Sequence, residues 1–320
     1  MRQVRLTGLI VAGTIALVAS SMHLVIPQAT PAIAEVIPCN QEVARSTANG
    51  SKTELRADCH PAGSRISVKG VALTVPDVGT GIGLADVMPA GAGAGTALTV
   101  FNDGQTIAIA DQNAAVTEGP APYASLPKCS DNSWIWTGYK NPSFNYYIST
   151  AGRPGSVSAA DFSAEVSFAH NVIDQDINAC GLTTGTSSVS ITNKGTTTRR
   201  SMTTDGSCGG AQKDGYDNID FGPLSGSAIG RTCWYYSTSI TEADVRLNSA
   251  TGWFRTLPNP CSSKYEMASV LLHEFGHVFG LAHVDEATHP NLVMSTNSTA
   301  CSYQDHHWGW GDYNNMTAHY

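Results

Sequence analysis

The sequence predicts an α+β fold in which two long helices pack against a twisted mixed sheet. Three observations carry that prediction. Apolar residues recur at helical spacing in two separate segments, near 158–177 and 264–279. Short runs rich in β-branched and aromatic residues lie before and between them. The order strand, helix, strands, helix describes a sheet backing the helices.

Taken in order, F-N-Y-Y-I at 144–148 reads as a strand. Ser158 with Asp161 caps a helix whose apolar positions are Phe162, Val166, Ala169, Ile173 and Ile177, ending at Gly181. His170 on this helix reads as a structural histidine. Strands follow near 187–192 and 218–221, then a hairpin-like pair near 228–236 and 243–248. Ser263 and Glu266 form an S-x-x-E capping box for the second helix, expected over 264–279. Met267, Val270, Leu271, Val278 and Phe279 give it a core-facing side, and Gly280 falls just past its end.

The chain before residue 126 has a different texture. Arg2 and Arg5, an uncharged apolar run from Leu6 to about Val18, and Ala32-Ile33-Ala34 read as a secretory signal over 1–34, with Glu35 the first mature residue. The apolar stretch continues through Met22–Ile26, so an uncleaved membrane anchor is the alternative. Residues 35–125 read as a β-rich pro-segment or accessory module. Within it, Leu98–Phe101 and Thr106–Ile109 flank Asn102-Asp103-Gly104 as a hairpin, and Pro89-Ala-Gly-Ala-Gly-Ala-Gly95 reads as linker. The stretch Thr117–Lys128 reads either as an activation site or as a plain surface loop. Residues 126–320 form the main domain.

Composition narrows the partners. With 320 residues, a net charge of −8 and no basic cluster outside the extreme N-terminus, nucleic acid is excluded as a partner. No stable membrane association is expected, and the chain is expected to be a secreted monomer.

The densest chemistry lies at 273–283, H-E-F-G-H-V-F-G-L-A-H, with Met294 following in L-V-M-S. On a helix His273 and His277 are i and i+4, so both rings leave one face. Gly280 lets the chain turn back, because glycine takes positive φ at little steric cost, and His283 supplies a third nitrogen. Three imidazoles form a ligand set for a single zinc ion and leave a fourth position open, the mark of a catalytic site. Glu274 lies where it can reach a water on the metal without ligating it, as a general base.

The string His273-Glu274-x-x-His277-x-x-Gly280-x-x-His283 followed by Met294 resembles the metzincin zinc endopeptidases. Within that clan the chain is most similar to matrixin-like secreted proteases of actinomycete type. Further segments run in the matching order: 144–148, D-G-Y-D-N-I-D-F-G at 214–222, E-A-D-V-R-L-N at 242–248, and the terminal G-D-Y-N-N-M-T-A-H-Y. The resemblance covers roughly 126–320. It implies a metzincin-like catalytic domain with a short C-terminal helix, one zinc held by His273, His277 and His283, and Glu274 as base. It also implies Met294 in a tight turn beneath the ligands, and a protein or peptide substrate extended along an edge strand. The 228–236 segment is the candidate for that edge.

Departures limit what carries over. Val284 and Asp285 stand where vertebrate matrixins place serine after the third histidine, and Thr296 replaces the tyrosine of astacin-like relatives, so no fifth, tyrosyl ligand is expected. Calcium is common in the resembled family, but no recognisable calcium loop appears. The other functions consistent with the motif are a non-catalytic zinc-bound recognition module and a zinc amidase acting on cell-wall substrates. Glu286, His289, His306 and His307 read as neighbours of the site rather than ligands.

The eight cysteines of an exported chain imply disulfides. Neighbourhood pairs Cys39 with Cys59, Cys129 with Cys180, Cys208 with Cys233, and Cys261 with Cys301. The alternative for Cys129 is a free thiolate on zinc, since Pro127-Lys128-Cys129 faintly resembles the matrixin latency segment.

Overall fold

Strand residues 230–236, G-R-T-C-W-Y-Y, send alternate side chains into two separate cores, and that alternation organises the molecule. The computed structural model describes residues 52–113 and 126–320, with Cys39 and a two-residue strand at 45–46. The signal expected over 1–34 and the greater part of the linker expected over 117–128 lie outside these residues.

The N-terminal strands are β1 (Arg45–Ser46), β2 (Lys52–Arg56), β3 (Arg65–Val68), β4 (Val71–Thr74), β5 (Thr80–Pro89), β6 (Ala97–Asn102) and β7 (Thr106–Asp111). Next come β8 (Ile135–Trp136), β9 (Phe144–Ile148), helix α1 (Ala159–Asp174), β10 (Ile191–Thr196), β11 (Asp217–Gly222), β12 (Gly230–Tyr236) and β13 (Ile240–Asn248). The last elements are β14 (Gly252–Phe254), β15 (Lys264–Glu266), helix α2 (Met267–Val278), β16 (Leu281–Ala282), β17 (Asn297–Ser298) and helix α3 (Trp310–His319). The fold is α+β with one large mixed sheet, ordered β1-β2-β7-β6-β5-β12-β13-β11-β9-β10, with β17 also on β5. Strands β10, β9, β11 and β13 are mutually parallel neighbours, while β12 runs antiparallel to β13.

On one face, Trp234 and Tyr236 of β12 and Ala85 and Val87 of β5 join the core built with α1 and α2. On the other, Cys233 and Tyr235 meet Ile82 and Leu84 of β5 and Leu73 of β4. Helix α1 begins as expected, with Ser158 Oγ accepting from Asp161 N at 2.9 Å, and buries Phe162, Val166, Ala169 and Ile173. It stops at Asp174 rather than near Gly181. Asp176 takes a left-handed φ of 49°, and its carboxylate accepts the amides of Thr186 and Ser187 at 2.7 and 2.6 Å, pulling the chain off the helix axis.

The expected capping box of α2 does not form. Ser263 sits at φ 49°, and residues 264–266 pair in parallel with β14, so the helix starts at Met267. The Glu266 carboxylate instead accepts from Ser269 Oγ and meets His306 Nδ1 at 2.6 Å. The strand expected at 187–192 lies at 191–196, on β9. The β6–β7 hairpin forms around Asn102-Asp103-Gly104, with Asp103 Oδ1 accepting from Gln105 N at 2.7 Å. The run 89–95, expected as linker, closes the antiparallel turn from β5 to β6.

One expectation is corrected by the sheet. Strand β12 is not an edge: it pairs with β13 on one side and with β5, from Gly230↔Val87 to Tyr236↔Gly81, on the other. The described residues from Cys39 to Tyr320 form one compact unit. A buried ion pair crosses the β5–β12 seam. Arg231 Nε and Nη2 meet Asp86 Oδ1 and Oδ2 at 2.5 and 2.8 Å, and both side chains are almost wholly buried. Removing one partner of such a pair costs about 3–5 kcal/mol, because the other charge is left buried alone.

All four disulfides join the expected partners: Cys39–Cys59, Cys129–Cys180, Cys208–Cys233 and Cys261–Cys301. The thiolate alternative for Cys129 is thereby closed. Cys261–Cys301, with a separation of 40 residues, ties the loop before β15 to the segment after Met294. Loop-closure entropy for that separation gives about 4 kcal/mol. Replacing both cysteines by serine should lower unfolding stability by roughly 3–4 kcal/mol in urea titration, against under about 1 kcal/mol for a surface Ser→Ala change.

Candidate metal centre

Helix α2 is buried along its whole length, so its polar side chains must find partners inside the protein. His273 and His277 leave one face, and their Nε2 atoms lie 3.0 Å apart. Phe279 caps the helix, and Gly280 takes φ +86°, where a Cβ would stand 2.1 Å from Tyr139 O. Only glycine fits that turn. The chain then returns as β16, antiparallel to β8, and delivers His283 with Nε2 at 3.1 Å from His273 Nε2 and 3.0 Å from His277 Nε2.

The outer nitrogens fix the tautomers. His273 Nδ1 lies 2.6 Å from Val293 O and His277 Nδ1 lies 2.8 Å from Leu281 O, and a carbonyl can only accept. Each of those Nδ1 atoms therefore carries the hydrogen. His283 Nδ1 meets Asn113 Oδ1 at 3.1 Å, completing the same arrangement. Neutral rings protonated at Nδ1 present lone pairs at Nε2, so three lone pairs face one another about 3 Å apart. Burial keeps the rings neutral. It lowers His273 to about 4, and it drives His277 and His283 well below the ordinary imidazole value, helped by their histidine neighbours.

Such a triangle repels itself unless a cation sits among the nitrogens, and three imidazoles are a donor set suited to zinc. Among the described residues this is also the sole group of His, Cys, Asp and Glu ligand atoms that converges within 4.8 Å. Asp217, Glu242 and Asp244 spend their carboxylates on backbone amides of Ala243, Gly215 and Asn218 at 2.8, 2.7 and 3.0 Å.

Glu274 is fully buried beside the triangle. Its Oε2 accepts from Thr232 Oγ1 at 2.6 Å, while Oε1 has no partner. Burial pushes its pKa well above the usual carboxylate range, opposed by the Thr232 hydrogen bond, with Asp86 adding to the rise. A nearby cation would draw that pKa down again.

Met294 packs on α2 at Gly276, the residue before His277. Its Sδ stands 2.3 Å from the Cβ that Gly276 lacks, so the thioether rests directly on α2. The turn is held from below by Asp312 in the first turn of α3, which accepts from Val293 N at 2.9 Å, Met294 N at 3.1 Å and Gly309 N at 2.9 Å. The Val293 peptide thus takes Asp312 at its amide and His273 at its carbonyl. Sequence reasoning places the triad and Glu274 where the structure brings them together. It misses Asp312, Thr232 and Asn113, although the carboxylate at N3 of α3 was a readable N-terminal signal. His170 meets Tyr146 Oη at 2.8 Å, His289 meets Asp131 at 2.9 Å, and Glu286 accepts from Ser295; none joins the triad.

No protein-family model matches the chain, and no curated protein matches it significantly.

Since Asp312 orders His273 through one peptide group, Asp312→Ala should weaken zinc binding by about 10–100-fold in competition titration with a chromophoric chelator. Asn should restore part of the loss.

Proposed function

We propose that this chain is a secreted zinc-dependent endopeptidase. The observation that carries the reading is a neutral three-histidine triangle with converging lone pairs beside a buried carboxylate that keeps one oxygen unpartnered. A purely structural zinc site would be closed by a fourth protein ligand, and a recognition module would have no use for Glu274. The metzincin-like order of segments favours a peptide as substrate over a cell-wall amide. Four disulfides, and no helix among the described residues long and apolar enough to cross a membrane, are compatible with export.

Zinc bound by His273, His277 and His283 would supply Lewis acidity, acidifying water and polarising the scissile carbonyl. The protein's part is positional and protonic. The carbonyl anchors on Nδ1 hold the imidazoles in register and raise their basicity. Glu274 Oε1 accepts the proton of the attacking water as its oxygen bonds to the carbonyl carbon. The same carboxylic acid then passes that proton to the departing amine as the C–N bond breaks. Thr232 keeps Oε2 occupied, so Oε1 alone takes part in the transfer. Burial serves this role, since a carboxylate lifted in pKa is a stronger base for the incoming proton.

Glu274→Gln should retain zinc at the wild-type ratio and lose at least about 100-fold in hydrolysis of denatured casein. The assay compares the protein as made with the protein after mild trypsin treatment and quenching. Unchanged casein hydrolysis would remove Glu274 as the base. Phenanthroline should abolish the activity and added zinc restore it; activity that persists without metal sinks the reading.

A further inference from the structure

We propose that a cavity on the face of the sheet opposite the histidines binds a free α-amino acid with a small side chain. The cavity measures about 130 Å³ and lies between the turn from β4 to β5 and the loop 209–213. Strand β12 separates it from the metal centre. Tyr235 lines the cavity, while its neighbour Trp234 joins the helix-side core and stacks on His277 with ring centroids 6.3 Å apart. The proposal does not depend on the endopeptidase reading.

The cavity carries one charge of each sign. Lys213 Nζ meets Asp77 Oδ2 at 3.3 Å, and both side chains reach solvent. An ion pair so exposed is worth little and exchanges partners readily. A ligand with a single charge can engage one of these groups only by leaving the other alone. A zwitterion engages both, its carboxylate on Lys213 and its ammonium on Asp77. The backbone beneath the pair is already fixed. Thr80 N and Oγ1 donate to Asp77 O at 3.0 and 2.8 Å, and Asn102 Nδ2 donates to Pro76 O at 2.9 Å. Groups held in place beforehand need no ordering when the ligand arrives.

The rest of the lining suits a small side chain that bears a hydroxyl. Val75, Pro76 and Ile82 supply apolar wall. Gly209, at φ +99°, lets the loop 209–213 close on Thr74, where a Cβ would stand 2.6 Å from Thr74 Cβ. Tyr235 Oη accepts from Gly209 N at 3.0 Å. Burial pushes the Tyr235 pKa well above the usual phenol value, so the hydroxyl keeps its hydrogen and can donate it to a ligand oxygen. A cavity of roughly 150 Å³ takes up benzene. The space here therefore accommodates a side chain the size of threonine or valine, and the Tyr235 hydroxyl favours threonine.

The test titrates zinc-loaded, full-length, nitrogen-15-labelled protein with L-threonine, L-valine, acetate and ethylamine, followed by amide chemical shifts. L-Threonine should shift the amides of Gly209, Gly210 and Lys213 saturably, with Kd on the order of 1 mM, and L-valine about 5-fold more weakly. Acetate and ethylamine, each with one charge, should not saturate over the same range. Lys213→Met should weaken both amino acids at least about 5-fold. Tyr235→Phe should lower threonine to the affinity of valine and leave valine unchanged, a split that a general loss of packing does not produce. No saturable shift in the wild type overturns the proposal, as does acetate or ethylamine binding as tightly as threonine. Threonine binding that Lys213→Met leaves untouched overturns it as well. Shifts confined to the amides around His273 and His283 report chelation at the metal and overturn it too. Should Tyr235→Phe fail to fold, the Lys213→Met comparison decides.

Discussion

Three neutral imidazole nitrogens held about 3 Å apart are the constraint on which the rest of the structure turns. Lone pairs at that spacing repel, so the arrangement survives only where the outer nitrogen of each ring is tied down and the neighbourhood refuses water. Each tie reaches into a different part of the chain: Val293 in the methionine turn, Leu281 just past Gly280, and Asn113 at the end of the N-terminal hairpin. The histidine triangle is therefore held by the turn that ends its own helix, by the methionine turn and by the N-terminal hairpin. The buried helix between α1 and the sheet is the platform on which they meet.

The same logic explains why the lower half of the site is rigid. Asp312 is a buried carboxylate whose cost of burial is offset by three backbone amides, two of which belong to the methionine turn. Gly276 leaves room for the thioether of Met294, and Cys261–Cys301 fastens the chain beyond it. Helix, turn and C-terminal helix form one linked support, and Glu274 Oε1, Thr296 Oγ1, Trp308 Nε1 and Asn315 Oδ1 are among the buried polar atoms along it with no hydrogen-bond partner.

What could be read in the sequence was local. The pair His273 and His277 follows from helical spacing alone, Gly280 from the need for positive φ, and the Asn102-Asp103-Gly104 hairpin from turn chemistry. The disulfide partners were legible because each joins neighbours along the chain. What was not legible depends on long-range competition. Ser263 and Glu266 have the right spacing for a capping box, yet β14 claims 264–266 and His306 claims the carboxylate. Strand β12 looked like an edge because nothing near it in sequence pairs with its outer side; its partner precedes it by the whole of α1 and the loops around it. The fit that selects β5 lies in the missing Cβ atoms of Gly81 and Gly83, which would meet Tyr236 and Trp234, and a sequence displays them only as glycines in a strand.

The order of the chain gives the Asp312 contact a consequence in time. During synthesis β5 emerges first, then β12 and the histidines, and the carboxylate that orders His273 follows all of them. A growing chain thus carries β5 before the strand it pairs with, and the three histidines before the carboxylate whose contacts order one of them.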